Sequence, residues 1–547
     1  MRAISLLKIF FSRVTNSDLY CYALLSIIVL IAHSNIIFLP STMSPDAPYI
    51  LLYMEELSSL KEYFQKLISL QGIDFQPVRD LSLWIDLKIF RETGINLFII
   101  NNCLIWSGCC FHVFQLSKFD AKKDHRLLLI LVMCLSLHPV FSQTVNWSMG
   151  RKHLLACFFI LWTCRKFLEM LMGNNNWKSV FTLYGLSLLS VPVSLLWPVW
   201  ATITAYISKK EQFKKIFLRL IPFFFLLVTI GIINYIYYFT SETYKEIYIQ
   251  KSGSIDYNLL FHHIGQHVKQ ILYPLPLRFH YRLDNSTLWF FGIVLLITLW
   301  LLKQYRKDRT LWIWFCFSII SMGLFLRTPE TYFDTYVILP AIGFFLVMTR
   351  IINSTFSKMA GLIAIPVLMV LTLRSNPAWI SLRNFSENNF HYNQDCPTAR
   401  SLAESIFVEK KKLPNDLFEF IQRNNCLEAR EGDSPVGTRG IRNLEARLLL
   451  IEDEIDLDYR KKRLSEIGEE NYYPKIIYAL LMSRLEDDVE IENAMVSLNK
   501  AFRTLKTPLD FDPIVTNELT QYCQKKALPE CIQFTDRYAQ LVKEPFL

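Results

Sequence analysis

Charged residues are scarce in this chain of 547 residues: Asp, Glu, Lys and Arg make up 20% of it, against 52% hydrophobic residues. Soluble domains carry about 25% charged residues. With 14% aromatic residues and a mean hydropathy of +0.25, the composition excludes intrinsic disorder, a collagen-like chain and a small disulfide scaffold. Long apolar runs fill residues 19–374, whereas 375–547 resembles a soluble protein. The sequence therefore predicts an all-α polytopic membrane protein with a hydrophilic C-terminal domain.

Several common functional motifs are also missing. The chain contains no G-x-x-x-x-G-K-[ST] and no G-x-G-x-x-G, so nucleotide-driven chemistry has no support. It contains no C-x-x-C pair, which argues against a zinc ribbon. The apolar stretch after residue 18 is too long for the core of a signal peptide and has no clear cleavage site, so we expect a first transmembrane anchor. The net charge of +9 comes from cations in short loops beside apolar runs, which favours the positive-inside rule over nucleic-acid binding.

The apolar runs predict eleven membrane-crossing helices. A span needs about 20 mostly apolar residues. Nine runs fit this length: 19–39, 94–116, 126–142, 153–172, 216–238, 287–303, 310–326, 332–350 and 357–374. A tenth run, 178–207, is broken by Pro192 and Pro198, and two short helices in a hairpin fit it better than one span. With the N-terminus in the cytoplasm, this count places the basic loops inside and residues 375–547 on the periplasmic or luminal side.

Two of the predicted exterior loops, 40–93 and 239–286, are long and contain amphipathic patterns. Leucine and phenylalanine recur at helical spacing in the first, and leucine, isoleucine and valine in the second: Leu57, Leu60, Phe64 and Leu67, then Leu260, Ile264, Val268, Ile271 and Leu272. Two interpretations stay open in equal measure. These helices lie in the membrane interface, or they roof a cavity.

The C-terminal domain, 375–547, alternates helical stretches with short turns. The stretches are 441–453, 473–485, 489–503, 511–525 and 528–542. Ala479, Ala494, Ala501 and the later Pro508 resemble a degenerate tetratricopeptide repeat, with a generic helical bundle as the alternative. Four cysteines in this domain permit disulfides in an oxidising compartment, and the nearest pairings are Cys523 with Cys531 and Cys396 with Cys426.

Five groups of polar residues stand near the ends of predicted spans and are candidates for function. They are Asp46; Arg79; His138; Arg151 with Lys152; and Asp334 with Tyr336. Ionisable residues at membrane depth cost about 2.5–3.5 kcal/mol each on insertion scales. In the eleven-helix topology all five groups lie at the exterior boundary, where cations can hold a lipid-tethered phosphate and a carboxylate can take a proton from an incoming hydroxyl. The plainer alternatives are a solvated loop residue and cations that reach the lipid headgroups.

A second pattern, His262, His263 and His267, puts two imidazoles four residues apart on a helix. This spacing suits a metal pair, but no glutamate completes an H-E-x-x-H motif. An interfacial helix with polar histidines is the favoured interpretation.

The order of the polar motifs resembles that of the GT-C glycosyltransferases, in particular the transmembrane and tetratricopeptide-repeat mannosyltransferases and their protein O-mannosyltransferase-like bacterial relatives. The resemblance covers residues 18–374. It rests on DAPYI at 46–50, FQPVR at 75–79, HPV with NW and RKHLL between 138 and 155, YPLPL at 273–277 and DTYVILPAIG at 334–343.

This resemblance implies an inverting transferase that moves a sugar from a polyprenyl-phosphate carrier to an exterior protein hydroxyl or glycan. It implies that Asp46 is the general base and that Arg151 and Lys152 hold the carrier phosphate. The remaining candidates, Arg79, His138, Asp334 and Tyr336, would line the site. The resemblance implies no cofactor, leaves a divalent cation open, and favours a bacterial inner membrane.

Five polar positions typical of that family are changed here: Pro45 replaces an acidic residue, Gln76 an arginine, His153 an aspartate, Thr335 an arginine and Val191 a lysine. These changes favour an altered substrate or reduced activity and leave a pseudoenzyme open. The alternative function is a non-catalytic membrane scaffold that works through its C-terminal helical domain. A transporter is disfavoured, because the polar residues gather at one boundary instead of the midplane.

Overall fold

The structure, a computed structural model, describes part of the chain, namely the residue ranges that follow. They are 13–37, 59–68, 75–95, 97–119, 124–174, 176–240, 257–272, 338–351, 355–379, 382–394, 396–408 and 413–427, with shorter stretches near 290 and between 444 and 525. All regular elements in these ranges are helices and none is a strand, which confirms the predicted all-α class.

Nineteen α-helices are numbered here in chain order. They are α1 (Asp18–Ala32), α2 (Ser34–Ile37), α3 (Leu60–Ile68), α4 (Pro77–Thr93), α5 (Phe98–Lys118), α6 (His125–Ser136), α7 (Ser142–Asn146), α8 (Arg151–Leu171), α9 (Trp177–Ser190), α10 (Trp197–Ser208), α11 (Phe213–Thr240), α12 (Tyr257–Leu272), α13 (Ile338–Ile351), α14 (Thr355–Ser375), α15 (Leu382–Asn393), α16 (Cys396–Val408), α17 (Asn415–Arg423), α18 (Leu457–Gly468) and α19 (Tyr472–Arg484).

The chain forms two compact units, with the boundary between Tyr392 and Asn393. The sequence predicts a boundary after residue 374. In the structure the turn that follows α14 also belongs to the first unit. The side-chain amide of Asn376 donates hydrogen bonds to the Ala32 carbonyl and to Asn35, both at 2.8 Å. These bonds tie the end of α14 to the end of α1.

The first unit is built around four helices, α1, α5, α6 and α8, and neighbouring helices in this group run in opposite directions. At one end Gln115 of α5 donates to Asp18 of α1 (2.6 Å), and Arg165 of α8 lies 3.7 Å from the same carboxylate. Each contact joins the start of α1 to the last turns of a neighbour, so α1 runs antiparallel to α5 and α8. The core between them is apolar and contains six buried thiol cysteines, which act as small hydrophobic side chains. A seventh buried cysteine, Cys134, donates to the Gly361 carbonyl of α14.

Three helices of the described ranges are long and apolar enough to cross a membrane: Phe98–Lys118, Lys210–Tyr237 and Met359–Ala378. The bent pair α6 and α7 makes a fourth if it is counted as one span. This number falls short of the predicted eleven. α1 has only 15 residues, and α8 carries Arg165, Lys166 and Glu169 within its last two turns. The predicted spans 287–303 and 310–326 lie largely or wholly outside the described residues.

The predicted break at Pro192 is present. α9 ends at Ser190, a 3₁₀ turn spans Pro192–Ser194, and α10 begins at Trp197. The rings of Tyr184 and Trp197 are 5.0 Å apart, although one straight helix would separate them by about 20 Å. The chain therefore turns back at the break.

A second break, between α6 and α8, shapes the site described below. α6 and α7 are bent by 47°, and Pro139 begins the 3₁₀ turn between them. A further turn, Ser148–Gly150, leads into α8. A Cβ atom at Gly150 would overlap the backbone carbonyl of Thr144, so this close approach requires glycine.

The second unit contains two helix pairs with separate stabilising contacts. α16 and α17 are linked by the Cys396–Cys426 disulfide, which confirms that predicted pairing. Cys523 is also disulfide-bonded; its predicted partner, Cys531, lies outside the described residues. α18 and α19 pack on each other around Leu464, Ile477 and other apolar side chains. α18 was not among the predicted stretches.

Candidate functional site

Five helix ends meet at one side of the first unit: the C-terminal ends of α1, α6 and α14 and the N-terminal ends of α5 and α8. Buried asparagines join them. Asn146 accepts a hydrogen bond from His33 Nδ1 (2.6 Å) and donates to Asn376 (2.9 Å). Asn102 donates to the Val145 carbonyl at 2.9 Å. The predicted topology puts the same helix ends at the exterior boundary, where Arg79, His138, Arg151 and Lys152 were expected.

Arg151, the first residue of α8, is fully buried and its N–H groups are held by two other helices. Nε donates to Asn102 of α5 (2.8 Å) and Nη2 to the Phe98 carbonyl (2.6 Å). Nη1 donates to Ser82 of α4 (3.1 Å) and forms an ion pair with Asp86. A guanidinium enclosed in this way fastens α8 to α4 and α5. Its contacts favour a positioning role over direct contact with a ligand.

The carboxylate partner of Arg151 comes from α4, which begins at Pro77 and ends at Gly94 in the left-handed conformation. Arg79, Ser82 and Asp86 recur at spacings of three and four, so they share one face of this helix. Asp86 also accepts a hydrogen bond from Asn101 Nδ2 at 2.6 Å. The predicted loop 40–93 therefore contains a helix that contributes charged side chains to the protein interior.

A second ion pair lies about two turns away on α4, nearer its N-terminus. Arg79 binds its neighbour Asp80 through Nε (2.7 Å) and Nη2 (2.6 Å), and both residues are buried. The charges of Arg79 and Lys152 both act on the buried His153 ring, so these residues lie within electrostatic reach of one another. Lys152 alone among these charged groups is partly exposed. We call this set the charge cluster: Arg79, Asp80, Asp86, Arg151, Lys152 and His153.

The charge cluster holds three permanent cations and two carboxylates, and it is enclosed by protein. Charged groups are expensive to bury unless they are paired and hydrogen-bonded. Here Asp80 is paired with Arg79 and Asp86 with Arg151, and Lys152 is the one cation of the cluster whose side chain is partly exposed. Chemically, such a site suits an anionic group that reaches Lys152 from its exposed side.

His138 lies on the same side of the unit, in the break between α6 and α7, and it bonds to that break and to α12 instead of the charge cluster. Its Nδ1 accepts a hydrogen bond from the Val140 N–H (3.4 Å), and Nε2 lies 3.1 Å from the Ile271 carbonyl. These two bonds require a neutral ring with the proton on Nε2. His138 thus fastens α12 over the break.

α12 confirms a helix in the second predicted loop, but part of its buried side is polar. Gln266, His267 and Gln270 are at most 3% exposed, whereas Leu272, from the predicted apolar face, is 52% exposed. Gln270 Oε1 has no hydrogen-bond partner among the described residues. The cavity interpretation requires that polar side chains of this helix face inward. In a simple interfacial helix the polar side chains would face outward.

Three predicted site residues, Asp46, Asp334 and Tyr336, lie outside the described residues. The structure brings together Arg79, Arg151 and Lys152 and places His138 on the same side.

Sequence reasoning did not select Asp80, Asp86 or Asn102. A signal existed for both carboxylates, because Asp80 follows Arg79 directly and Asp86 stands seven residues after it, two helical turns along the same face. Both lie in the segment 40–93, which was predicted as an exterior loop. Asn102 carried no signal, since one asparagine in an apolar helix does not reveal which helix it faces.

Within the described ranges, no group of three His, Cys, Asp or Glu side chains is arranged to hold a metal ion. His267 is fully buried on α12. Comparison of the chain with protein-family models, curated proteins and solved structures finds no match.

Proposed function

We propose that this protein is a membrane glycosyltransferase that transfers a sugar from a polyprenyl-phosphate carrier to an exterior protein hydroxyl or glycan. The charge cluster carries this proposal. It lies where five helix ends meet, it contains the Arg-Lys pair of the GT-C-like motif, and its Lys152 side chain is partly exposed. A phosphate tethered to a lipid matches both the charge and the position at a helix boundary.

The roles of the residues follow from their contacts. Lys152 would bind the carrier phosphate, since its side chain is partly exposed. Arg151 would act as a positioning residue that fixes the first turn of α8, because its own donors bind Asn102, Ser82 and Phe98. Asp46 would be the general base, a role that rests on the resemblance alone.

Two observations favour one orientation of the protein in the membrane. The opposite end of the four-helix core carries Lys118, Arg165 and Lys166, which favours a cytoplasmic position by the positive-inside rule. The Cys396–Cys426 disulfide in the second unit favours an oxidising compartment. We therefore propose that the charge cluster and the second unit are periplasmic or luminal. The second unit, with its paired helices α18 and α19, would hold the acceptor.

Transfer from polyprenyl-phosphate-mannose in membranes tests the phosphate site. We expect Lys152→Gln to raise the KM for this donor about tenfold to a hundredfold, the loss of one charge-assisted contact. Lys166→Gln is the matched control, because Lys166 lies on the same helix at its other end and pairs with Glu169 (2.8 Å). If both variants keep the wild-type KM, Lys152 does not bind the phosphate.

The same assay tests the general base. Asp46→Asn keeps the size of the side chain and removes its basicity, so we expect kcat to fall about 10²- to 10⁴-fold. Asp18→Asn, at the start of α1, should leave kcat unchanged. If no variant alters transfer and none of several polyprenyl-phosphate sugars is used by the wild type, the non-catalytic scaffold replaces this proposal.

A further inference from the structure

A polar cavity lies at the C-terminal end of α8, at the opposite end of this helix from the charge cluster. Its volume is about 160 Å³, far more than the roughly 10–15 Å³ that one water molecule needs. Asn174 and Trp177 line it from the turn after α8, and Gln212, Lys215 and Arg219 line it from the start of α11. The length of α8, 21 residues or about 31 Å, separates it from Arg151.

The cavity is basic. The Arg219 guanidinium lies over the Trp177 ring, 5.5 Å from its centre, and Lys215 stands one turn earlier on α11. Lys214, Lys215 and Arg219 also line an adjoining cavity with Glu211, the one carboxylate among the described residues that line either cavity. Among the described residues no ion pair involves Lys215 or Arg219. We call the cavity lined by Lys215, Arg219, Trp177, Gln212 and Asn174 the basic pocket.

An apolar stripe begins beside the basic pocket and follows α11. Its members are spaced by three or four residues, so they share one helix face, and each is about half exposed or more: Leu218, Ile221, Phe225, Val228 and Ile232. Leu218 also lines the adjoining cavity. The helix itself, Lys210–Tyr237, has the length and apolarity of a membrane span. An exposed stripe of this kind on a span is a surface for lipid chains.

We propose that the basic pocket binds the phosphate headgroup of an acidic glycerophospholipid whose acyl chains lie along this stripe. Two cations and two side-chain amides supply donors to the phosphate, and the tryptophan stands where aromatic residues meet the membrane surface. The phosphate could belong to a lipid headgroup or to a free phosphate ion. The apolar stripe favours the lipid, because a free ion gains nothing from contact with apolar surface. This proposal does not depend on the glycosyltransferase proposal.

Native mass spectrometry of the full-length protein in detergent tests it. The protein is mixed with phosphatidylglycerol or with phosphatidylcholine of identical acyl chains, and the bound lipids are counted. We expect Lys215→Gln with Arg219→Gln to reduce the preference for phosphatidylglycerol about thirtyfold, as loss of two cations at a membrane surface predicts. The matched control, Lys209→Gln with Lys210→Gln, removes the same charge next to the pocket from residues that line neither cavity, and it should reduce the preference clearly less.

Three results would overturn the proposal. An equal loss in both double variants would show general attraction to the basic loop and no defined site. Binding of inorganic phosphate to the wild type without binding of phosphatidylglycerol would show an anion pocket without a lipid partner. Equal binding of both lipids by the wild type would show that the headgroup is not recognised. Melting temperatures of all variants, measured without added lipid, check that they fold.

Discussion

Asp86 and Arg151 form an ion pair between α4 and α8 that solvent does not reach. The Asp86 residue is 2% exposed and Arg151 is fully buried. Removing two such groups from water is costly, and the surrounding hydrogen bonds from Asn101 and to Asn102 offset that cost. The pair therefore fixes the geometry of the charge cluster more than it adds to stability.

We expect Asp86→Asn to destabilise the protein by about 3–5 kcal/mol, because it leaves the Arg151 charge buried without its counter-ion. Thermal and denaturant unfolding of the purified protein in detergent measures this. Asp18→Asn is the control, since its pairing with Arg165 at 3.7 Å is exposed and should contribute less than about 1 kcal/mol. Wild-type stability in Asp86→Asn would show that the Arg151 guanidinium does not need this carboxylate.

Some of these residues could be selected from the sequence and others could not. Arg79, Arg151 and Lys152 were selected because cations beside an apolar run are conspicuous. Asp86 was not, because a carboxylate in a polar segment looks solvated until the position of α4 is known. The pairing of charged residues depends on contacts between helices that are distant in sequence. No local sequence pattern indicates these contacts.

Helices were predictable where an apolar run set both ends, and less so elsewhere. The run 94–116 corresponds to α5, and 357–374 to α14. On α12 the helix was predicted, and its buried residues include Gln266 and Gln270 as well as the apolar Ile271, while Leu272 is exposed. An amphipathic pattern predicts that a helix forms, but next to lipid it does not decide which side chains face the interior.

The break between α9 and α10 gives a prediction about topology. If the chain turns back at Pro192–Ser194, short epitopes inserted after Gly173 and after Lys209 are on the same side of the membrane. An antibody added to intact spheroplasts should reach neither of them, because the basic residues near both sites favour the cytoplasm.

An epitope after Gln394, beyond α15, is the control for this experiment and should be accessible. If antibody reaches the site after Lys209 but not the one after Gly173, α9 and α10 together cross the membrane once.

At the scale of the whole molecule, the chain combines two units with different cysteine chemistry. In the first unit the seven described cysteines are free and buried; in the second, Cys396, Cys426 and Cys523 are in disulfides. This difference fits a chain that has one part in a membrane and another in an oxidising compartment.

We expect peptide mapping without reduction to find Cys396 linked to Cys426 in protein isolated from membranes. The disulfide closes a loop of 30 residues, so Cys396→Ser with Cys426→Ser should destabilise the second unit by about 3–4 kcal/mol in the chain-entropy model. Limited proteolysis of the full-length protein measures this loss. Free thiols at both positions in the native protein would contradict the exterior placement.

The hydrogen bond from Asn376 to the Ala32 carbonyl joins residues 344 positions apart. A ribosome that adds about 5–20 residues per second reaches Asn376 roughly 17–70 s after it has made Ala32. Throughout that interval the end of α1 lacks one of its partners, and His33 lacks Asn146 for the first part of it. Early in synthesis the polar end of α1 therefore lacks its partners, and we expect the position of α1 in the first unit to be fixed only after the residues that follow α14 have been made.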